Sequence, residues 1–157
     1  MLQRIQTVFM IIAAVAMLVF LFVPIWTKVS ADTQEQATLT AFNLIYQKGS
    51  LSNATPTFYL AVMAIFSILI SVFSILQFKN RVRQMLLVAL NSLIAGATLV
   101  TVVYLTQKEF NGLFAPAKQG NFGIGLYVVF AALLANWLAN RFIRRDEKAV
   151  KDSDRMR

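Results

Sequence analysis

Four long apolar stretches divide the chain, separated by shorter polar segments. They run from about 5 to 26, 58 to 78, 85 to 106 and 122 to 143, and Arg141 is the one charged residue within them. Each is close to the roughly 20 residues that an α-helix needs to cross about 30 Å of hydrocarbon. Because the backbone in hydrocarbon must hydrogen-bond to itself, each stretch predicts a transmembrane helix. The predicted fold class is an all-α membrane protein, with four transmembrane helices in an antiparallel bundle.

A soluble helical bundle is the alternative, and it would need a polar face on each helix. The second stretch has no such face, since its polar residues between Leu60 and Leu76 are three serines. Hydrophobic residues make up 58% of the chain and charged residues only 14%. Soluble domains average about 45–50% apolar and about 25% charged residues. The composition therefore favours the membrane, and the length predicts a single integral membrane domain over 1–157.

Lys and Arg are unevenly distributed among the polar segments. Most of the 15 lie before the first stretch, between the second and third, and after the fourth. The positive-inside rule places these segments in the cytoplasm and predicts an inner-membrane protein with both termini inside. Residues 144–157 then form a basic and mixed-charge cytoplasmic tail. The same bias accounts for the net charge of +8 through contact with anionic lipid head groups, so no nucleic-acid partner is expected.

The first stretch has a second interpretation, as a secretory signal with a small-residue cleavage site at Val29-Ser30-Ala31. Its apolar run is longer than the roughly 7–15 residues of a signal peptide, which favours an uncleaved span. Pro24 is predicted to end this helix, and Trp26 to lie in the aromatic belt at the outer membrane surface.

The first outer loop is long and carries a strand signal. Thr38 to Tyr46 is rich in β-branched and aromatic residues, and Lys48-Gly49-Ser50 is typical of a turn. This pattern predicts a short β-hairpin that caps the outer ends of the helices.

The composition excludes several kinds of chemistry. The chain has no His and no Cys, which removes imidazole and thiolate metal ligands, the usual general base and the cysteine nucleophile. The predicted spans also lack the buried ionisable residues that ion-coupled transporters need. Residues 120–125 are glycine-rich but lack the Walker lysine, so they are interpreted as a turn into the fourth helix. No catalytic, metal-binding or cofactor-binding residue is predicted, and no cofactor is expected.

Neutral polar and small residues recur within the spans at helical spacing. Such faces let helices approach closely and hydrogen-bond across the contact, and Asn91 and Asn136 are placed to meet if the last two helices form a closed hairpin. The alternative is a polar lining for a conduit. The candidate packing or lining residues are Ser67, Ser71, Ser74, Asn91, Ser92, Gly96, Asn136 and Asn140.

A second polar cluster lies at the predicted cytoplasmic ends of the first three helices. Ordinary interfacial anchoring explains it, and docking of a partner is the functional alternative. The candidate docking residues are Gln3, Arg4, Gln6, Lys79, Arg81 and Arg83.

The opening Gln3-Arg4-Ile5-Gln6-Thr7, running into an Ala-rich span that ends Phe22-Val23-Pro24-Ile25-Trp26, carries a family resemblance. It resembles small four-span inner-membrane proteins of Bacteroidetes that form a domain of unknown function, family 4293. The rest of the chain is similar in layout. The resemblance implies a Gram-negative inner membrane, no recognised activity and no catalytic residues.

These observations favour a non-enzymatic accessory or scaffold subunit that packs against membrane lipids and other membrane proteins, or against itself. The alternative is a channel or carrier for a neutral or lipidic solute. A lipid-modifying enzyme is disfavoured because the outer loops offer only Asp32, Glu35 and Glu109 as acids.

Overall fold

The computed structural model of the protein describes residues 2–30, 35–78, 80–109 and 120–155. Its frame consists of four long helices: α1 (Leu2–Phe22), α2 (Phe58–Leu76), α3 (Arg81–Tyr104) and α4 (Ile124–Arg155). A π-helical turn, Leu105–Glu109, continues α3. Each helix packs against the next one in sequence, and α4 also packs against α1. The four therefore form a closed up-down-up-down bundle.

All four helices are long and apolar enough to cross a membrane. Only 28–33% of the residues in their apolar windows are buried, so most of each helix surface is exposed. Large apolar side chains, such as Ile12, Phe66, Leu93 and Leu134, cover that surface. Water would make such a surface a strong association site, whereas lipid removes the cost of exposing it. The arrangement is that of a multi-pass membrane protein.

The first helix is shorter than its apolar stretch. It ends at Phe22, because Pro24 lacks a backbone N–H and disfavours helical geometry at the residue before it. The predicted end of the helix at Pro24 is therefore confirmed, whereas residues 23–26 of the first apolar stretch are not helical, because the chain enters a β-strand at Trp26. Trp26 is only 2% exposed, which also corrects its predicted place in a lipid-facing aromatic belt.

The bundle carries a β-sheet at one end, where the sequence predicts at most a hairpin. Its strands are β1 (Trp26–Val29), β2 (Glu35–Leu39), β3 (Asn43–Lys48), β4 (Leu51–Pro56) and β5 (Asn121–Phe122). They are antiparallel, in the order β4-β3-β2-β1-β5. The all-α prediction with one hairpin is therefore corrected to a helical bundle with a five-stranded sheet. We call the end of the bundle that carries this sheet the sheet end, and the opposite end the sheet-distal end.

The turn predicted at residues 48–50 joins β3 to β4. Lys48 pairs with Leu51, which leaves a two-residue loop, and Gly49 has a φ of 58°. Two-residue hairpin loops require a positive φ at their first central position, which glycine adopts without steric cost.

A glycine-rich segment fastens the start of α4 to the end of α1. The Gly123 N–H donates to the Ile25 carbonyl at 2.8 Å, and the Gly125 N–H donates to the Pro24 carbonyl at 3.0 Å. A Cβ on Gly123 would lie 2.5 Å from the Pro24 carbonyl oxygen. The segment interpreted as a turn is thus a close backbone contact, and Phe122, the first residue of the fourth apolar stretch, lies in a strand rather than a helix.

The hydrophobic core has two parts. The larger lies under the sheet, where Trp26, Leu39 and Leu44 pack with Phe20 and Leu60. The smaller lies towards the sheet-distal end and contains Met10, Val88, Ala139 and Ile143. Along the helices, buried polar side chains fall between the two apolar clusters, at the candidate site.

Candidate functional site

Asn91 on α3 is the centre of a buried hydrogen-bond network. The Ser67 hydroxyl donates to the Asn91 side-chain oxygen at 2.6 Å. The Asn91 amide donates to the Ser71 hydroxyl at 2.8 Å and to the Asn136 side-chain oxygen at 3.2 Å. All four side chains are at most 2% exposed. This network, the polar layer, joins α2, α3 and α4, and it includes the bond between Asn91 and Asn136 predicted from the sequence.

A second polar contact lies one helical turn nearer the sheet-distal end. The Ser74 hydroxyl lies 3.3 Å from the Met10 sulfur and 3.5 Å from the Gln84 carbonyl oxygen. The Gln84 side-chain amide donates to the Ser74 carbonyl at 3.2 Å. Sequence reasoning missed Gln84, although it lies seven positions before Asn91 and so on the same face of α3.

The remaining candidates within the spans lie outside the polar layer. The Ser92 hydroxyl donates to the Val88 carbonyl of its own helix at 3.0 Å. Among the described residues, nothing lies within 4 Å of the position that a Gly96 Cβ would occupy, so Gly96 makes no close helix contact there. The Asn140 side-chain oxygen and the Asn136 side-chain nitrogen are buried without a hydrogen-bond partner in the described part of the chain.

The predicted docking cluster is partly an internal contact. Gln6 is 3% exposed, and its side-chain amide donates to the carboxylate of Asp146 on α4. The Arg81 guanidinium donates to the Asp146 carbonyl at 3.1 Å. These contacts join α1, α3 and α4, which corrects the placement of Gln6 on an open surface. Asp146 was missed because it lies 140 positions from Gln6 in the sequence.

The other docking candidates divide into two groups. Arg83 is exposed and lines a surface depression with Phe73, Gln77, Leu86 and Leu87. The side chains of Gln3 and Arg4 lie outside the described part of the chain, as does the whole of Lys79.

The sheet carries on its helix-facing side a charged residue, Glu35, that the sequence placed only among the acids of the outer loops. Glu35 on β2 and Lys48 on β3 are register partners and form an ion pair at 2.8 Å. The Glu35 side chain is 5% exposed and that of Lys48 is 63% exposed. The hydrogen bond to Glu35 and then the attraction of its carboxylate raise the pKa of Lys48 above the ordinary lysine value. The alternation of side chains along a strand could have indicated this burial, because Glu35 lies on the same side of β2 as the apolar residues Ala37 and Leu39.

The described residues contain no group of three or more His, Cys, Asp or Glu that could hold a metal ion. What they offer instead is neutral hydrogen bonding across helices, which suits packing. A family model described as a domain of unknown function (DUF4293) matches residues 2–156.

The chain belongs to this family. No curated protein sequence matches the chain. The family membership covers the bundle and the sheet together, so both are parts of one family domain.

Proposed function

We propose that this DUF4293 protein is a non-enzymatic accessory or scaffold subunit of an inner membrane, with both termini in the cytoplasm. The observation that carries the proposal is the inward direction of its polar groups at membrane depth. Ser67, Ser71, Asn91 and Asn136 bond to one another and are nearly inaccessible, while the outside of the bundle is apolar. A bundle built in this way presents its outer surface to lipids and to other membrane helices.

The sheet supplies a surface of a different kind for protein partners. β4 is an edge strand, and all six of its residues are exposed. Because Lys48 and Leu51 close the hairpin, the backbone groups of Leu51, Asn53 and Thr55 point to β3, and those of Ser52 and Ala54 point outward. An edge of this kind accepts an added strand from another polypeptide. β4 has no charged residue, and Pro56 at its last position is the one residue of the strand that disfavours such pairing.

The test is mild-detergent purification of the tagged protein from its native membrane, with mass spectrometry of what remains bound. The expected result is a stoichiometric membrane-protein partner or a second copy. Ala54→Pro removes one outward N–H while leaving the pairing with β3 in place, and it should lower recovery of any partner held at the sheet edge. Ser52→Ala keeps its N–H and is the matched control. A strictly monomeric, partnerless protein would refute the scaffold proposal.

A carrier for a neutral or lipidic solute is the second candidate, and one observation favours it. The side-chain nitrogen of Asn136, a member of the polar layer, is buried without a partner in the described residues, so it has a hydrogen-bond donor to offer a solute. The closed bonding of the neighbouring side chains weighs against it. If Asn91→Leu with Asn136→Leu leaves solute flux into liposomes unchanged, the carrier hypothesis is excluded.

A further inference from the structure

A cavity of about 350 Å³ lies against α4 in its sheet-distal half. Four described side chains line it: Trp137, Asn140, Arg141 and Arg144. Their spacing of three and four residues places them on one face of the helix. The face is distinct from the one that carries Ala132, Asn136, Ala139 and Ile143 into the core. The cavity therefore opens on the outside of the bundle.

The described lining of this cavity is positively charged, since two of its four residues are arginines and none is acidic. The Arg141 guanidinium carbon lies 5.6 Å from the centre of the Trp137 ring, in a cation–π contact. A guanidinium also carries N–H groups in its own plane, and these suit the oxygens of a phosphate. Trp137 is 56% exposed, which leaves the indole available to a ligand.

Asn140 adds a specific requirement for a ligand. Its side-chain oxygen is buried and has no hydrogen-bond partner among the described residues. A buried acceptor without a donor is unfavourable, so a ligand that brings an O–H or N–H there is favoured. The ligand should then carry an anionic group for the arginines and a donor for Asn140.

The depth of the cavity identifies the source of such a ligand. Asp146 contacts Gln6 and Arg81, so this polar residue of α4 lies at the same height in the bundle as the first turns of α1 and α3. Arg141 lies five residues earlier on α4, about 7.5 Å nearer the bilayer centre at 1.5 Å per residue. That is the depth of phospholipid head groups, and tryptophan is typical of the same level.

We infer that this cavity binds the head group of a membrane phospholipid. Arg141 and Arg144 hold the phosphodiester, Asn140 accepts from a hydroxyl or ammonium group, and Trp137 packs on the glycerol and upper acyl carbons. The inference rests on the membrane location in the proposed function and names one lipid contact of the scaffold. A head group with an O–H or N–H, as in phosphatidylglycerol or phosphatidylethanolamine, fits better than phosphatidylcholine, which has neither.

The test measures lipid retention on the full chain. The protein is delipidated in detergent and titrated with each of the three phospholipids, and bound lipids are counted by native mass spectrometry. Phosphatidylglycerol and phosphatidylethanolamine should bind more tightly than phosphatidylcholine. Arg141→Gln should lower the affinity for phosphatidylglycerol about fivefold, since one basic residue at an anionic surface contributes about 1 kcal/mol. Asn140→Ala should lower the affinities for phosphatidylglycerol and phosphatidylethanolamine nearly to the affinity for phosphatidylcholine.

Arg83→Gln is the matched control, because it removes one exposed positive charge at the same end of the bundle. If Arg83→Gln and Arg141→Gln lose the same amount of lipid affinity, the proposed site is overturned, and general attraction between positive charge and anionic lipid explains the binding. Glycerol phosphate that competes as well as the lipid would assign the cavity to a soluble phosphodiester and overturn the lipid assignment.

A second measurement needs no charge variant. Phospholipids with spin-labelled head groups should quench the fluorescence of Trp137, which is the part of the emission that the Trp137→Phe variant lacks. Absence of this quenching counts against the site. Loss of lipid specificity would leave the partner recovered by purification unchanged, so failure of this inference is distinguishable from failure of the scaffold proposal.

Discussion

The Asn91 side-chain amide on α3 donates to the Asn136 side-chain oxygen on α4 at 3.2 Å, in the buried middle of the bundle. Because Asn91 also bonds to Ser67 and Ser71 on α2, one residue connects three helices. The interior of this bundle is thus polar where its exterior is apolar, which is the arrangement that lipid favours.

Replacing Asn91 tests how much this connection stabilises the bundle. Asn91→Leu has a similar volume but removes three hydrogen bonds and leaves buried groups of Ser67, Ser71 and Asn136 without them. The free energy of unfolding should fall by about 1–3 kcal/mol, measured by denaturing-detergent titration. Ser92→Ala is the control, since its hydroxyl bonds only within α3, and it should change stability by less than about 0.5 kcal/mol. Equal effects of the two variants would contradict a connecting role for Asn91.

The glycines of the chain give a matched pair of substitutions with opposite outcomes. Gly123→Ala puts a Cβ 2.5 Å from the Pro24 carbonyl oxygen, so the backbone must shift, at a cost of about 1–3 kcal/mol. Gly96→Ala meets no described atom and lies inside α3, so it should be neutral or stabilise by up to about 1 kcal/mol. Thermal unfolding of the two variants checks the difference. A neutral Gly123→Ala would show that the start of α4 does not need its close approach to α1.

The contact of Gln6 with Asp146 should appear as coupling in a double-mutant cycle. Gln6→Leu leaves the buried carboxylate of Asp146 without one donor and should cost about 1–3 kcal/mol. In an Asp146→Leu background the same change should cost much less, giving a coupling energy of about 0.5–3 kcal/mol. The free energies of unfolding of the four proteins supply the cycle. Additive effects would mean that the two side chains do not interact.

The ion pair of the sheet predicts a dependence on pH. The pKa of Lys48 is raised in the folded protein, so its stabilising contribution is complete below the ordinary lysine pKa and is lost as pH rises through the raised value. Lys48→Met should therefore destabilise the sheet slightly at neutral pH and not at strongly alkaline pH.

Trp26 lies in β1 and reports on the sheet by fluorescence in a Trp137→Phe background. Gln47→Met, on the neighbouring exposed residue, is the control for a change to methionine. A difference between wild type and Lys48→Met that stays constant with pH would contradict the assignment to this ion pair.

The candidate site shows how far sequence reasoning extends. The serines of α2 and the pair Asn91 and Asn136 could be found because a neutral polar residue in hydrocarbon needs a partner helix. Asp146 and Gln84 were missed because they lie at the ends of the apolar stretches, where a polar residue is equally at home in water. Glu35 was named only as an outer-loop acid, because a loop charge is ordinarily solvated; the tertiary structure puts it in β2 and buries its side chain.

The sequence by itself determined the number of the long helices, the approximate extent of their apolar parts and the turn at Gly49. A long apolar run in lipid has few ways to satisfy its backbone, and a two-residue hairpin loop has few residues that fit it. Only the tertiary structure decided which apolar side chains of the helices point inward, because lipid and a protein core solvate such side chains equally well. It also decided the burial of Trp26 and the pairing of β1 with β5, since these depend on segments distant in sequence that meet only when α4 returns to α1.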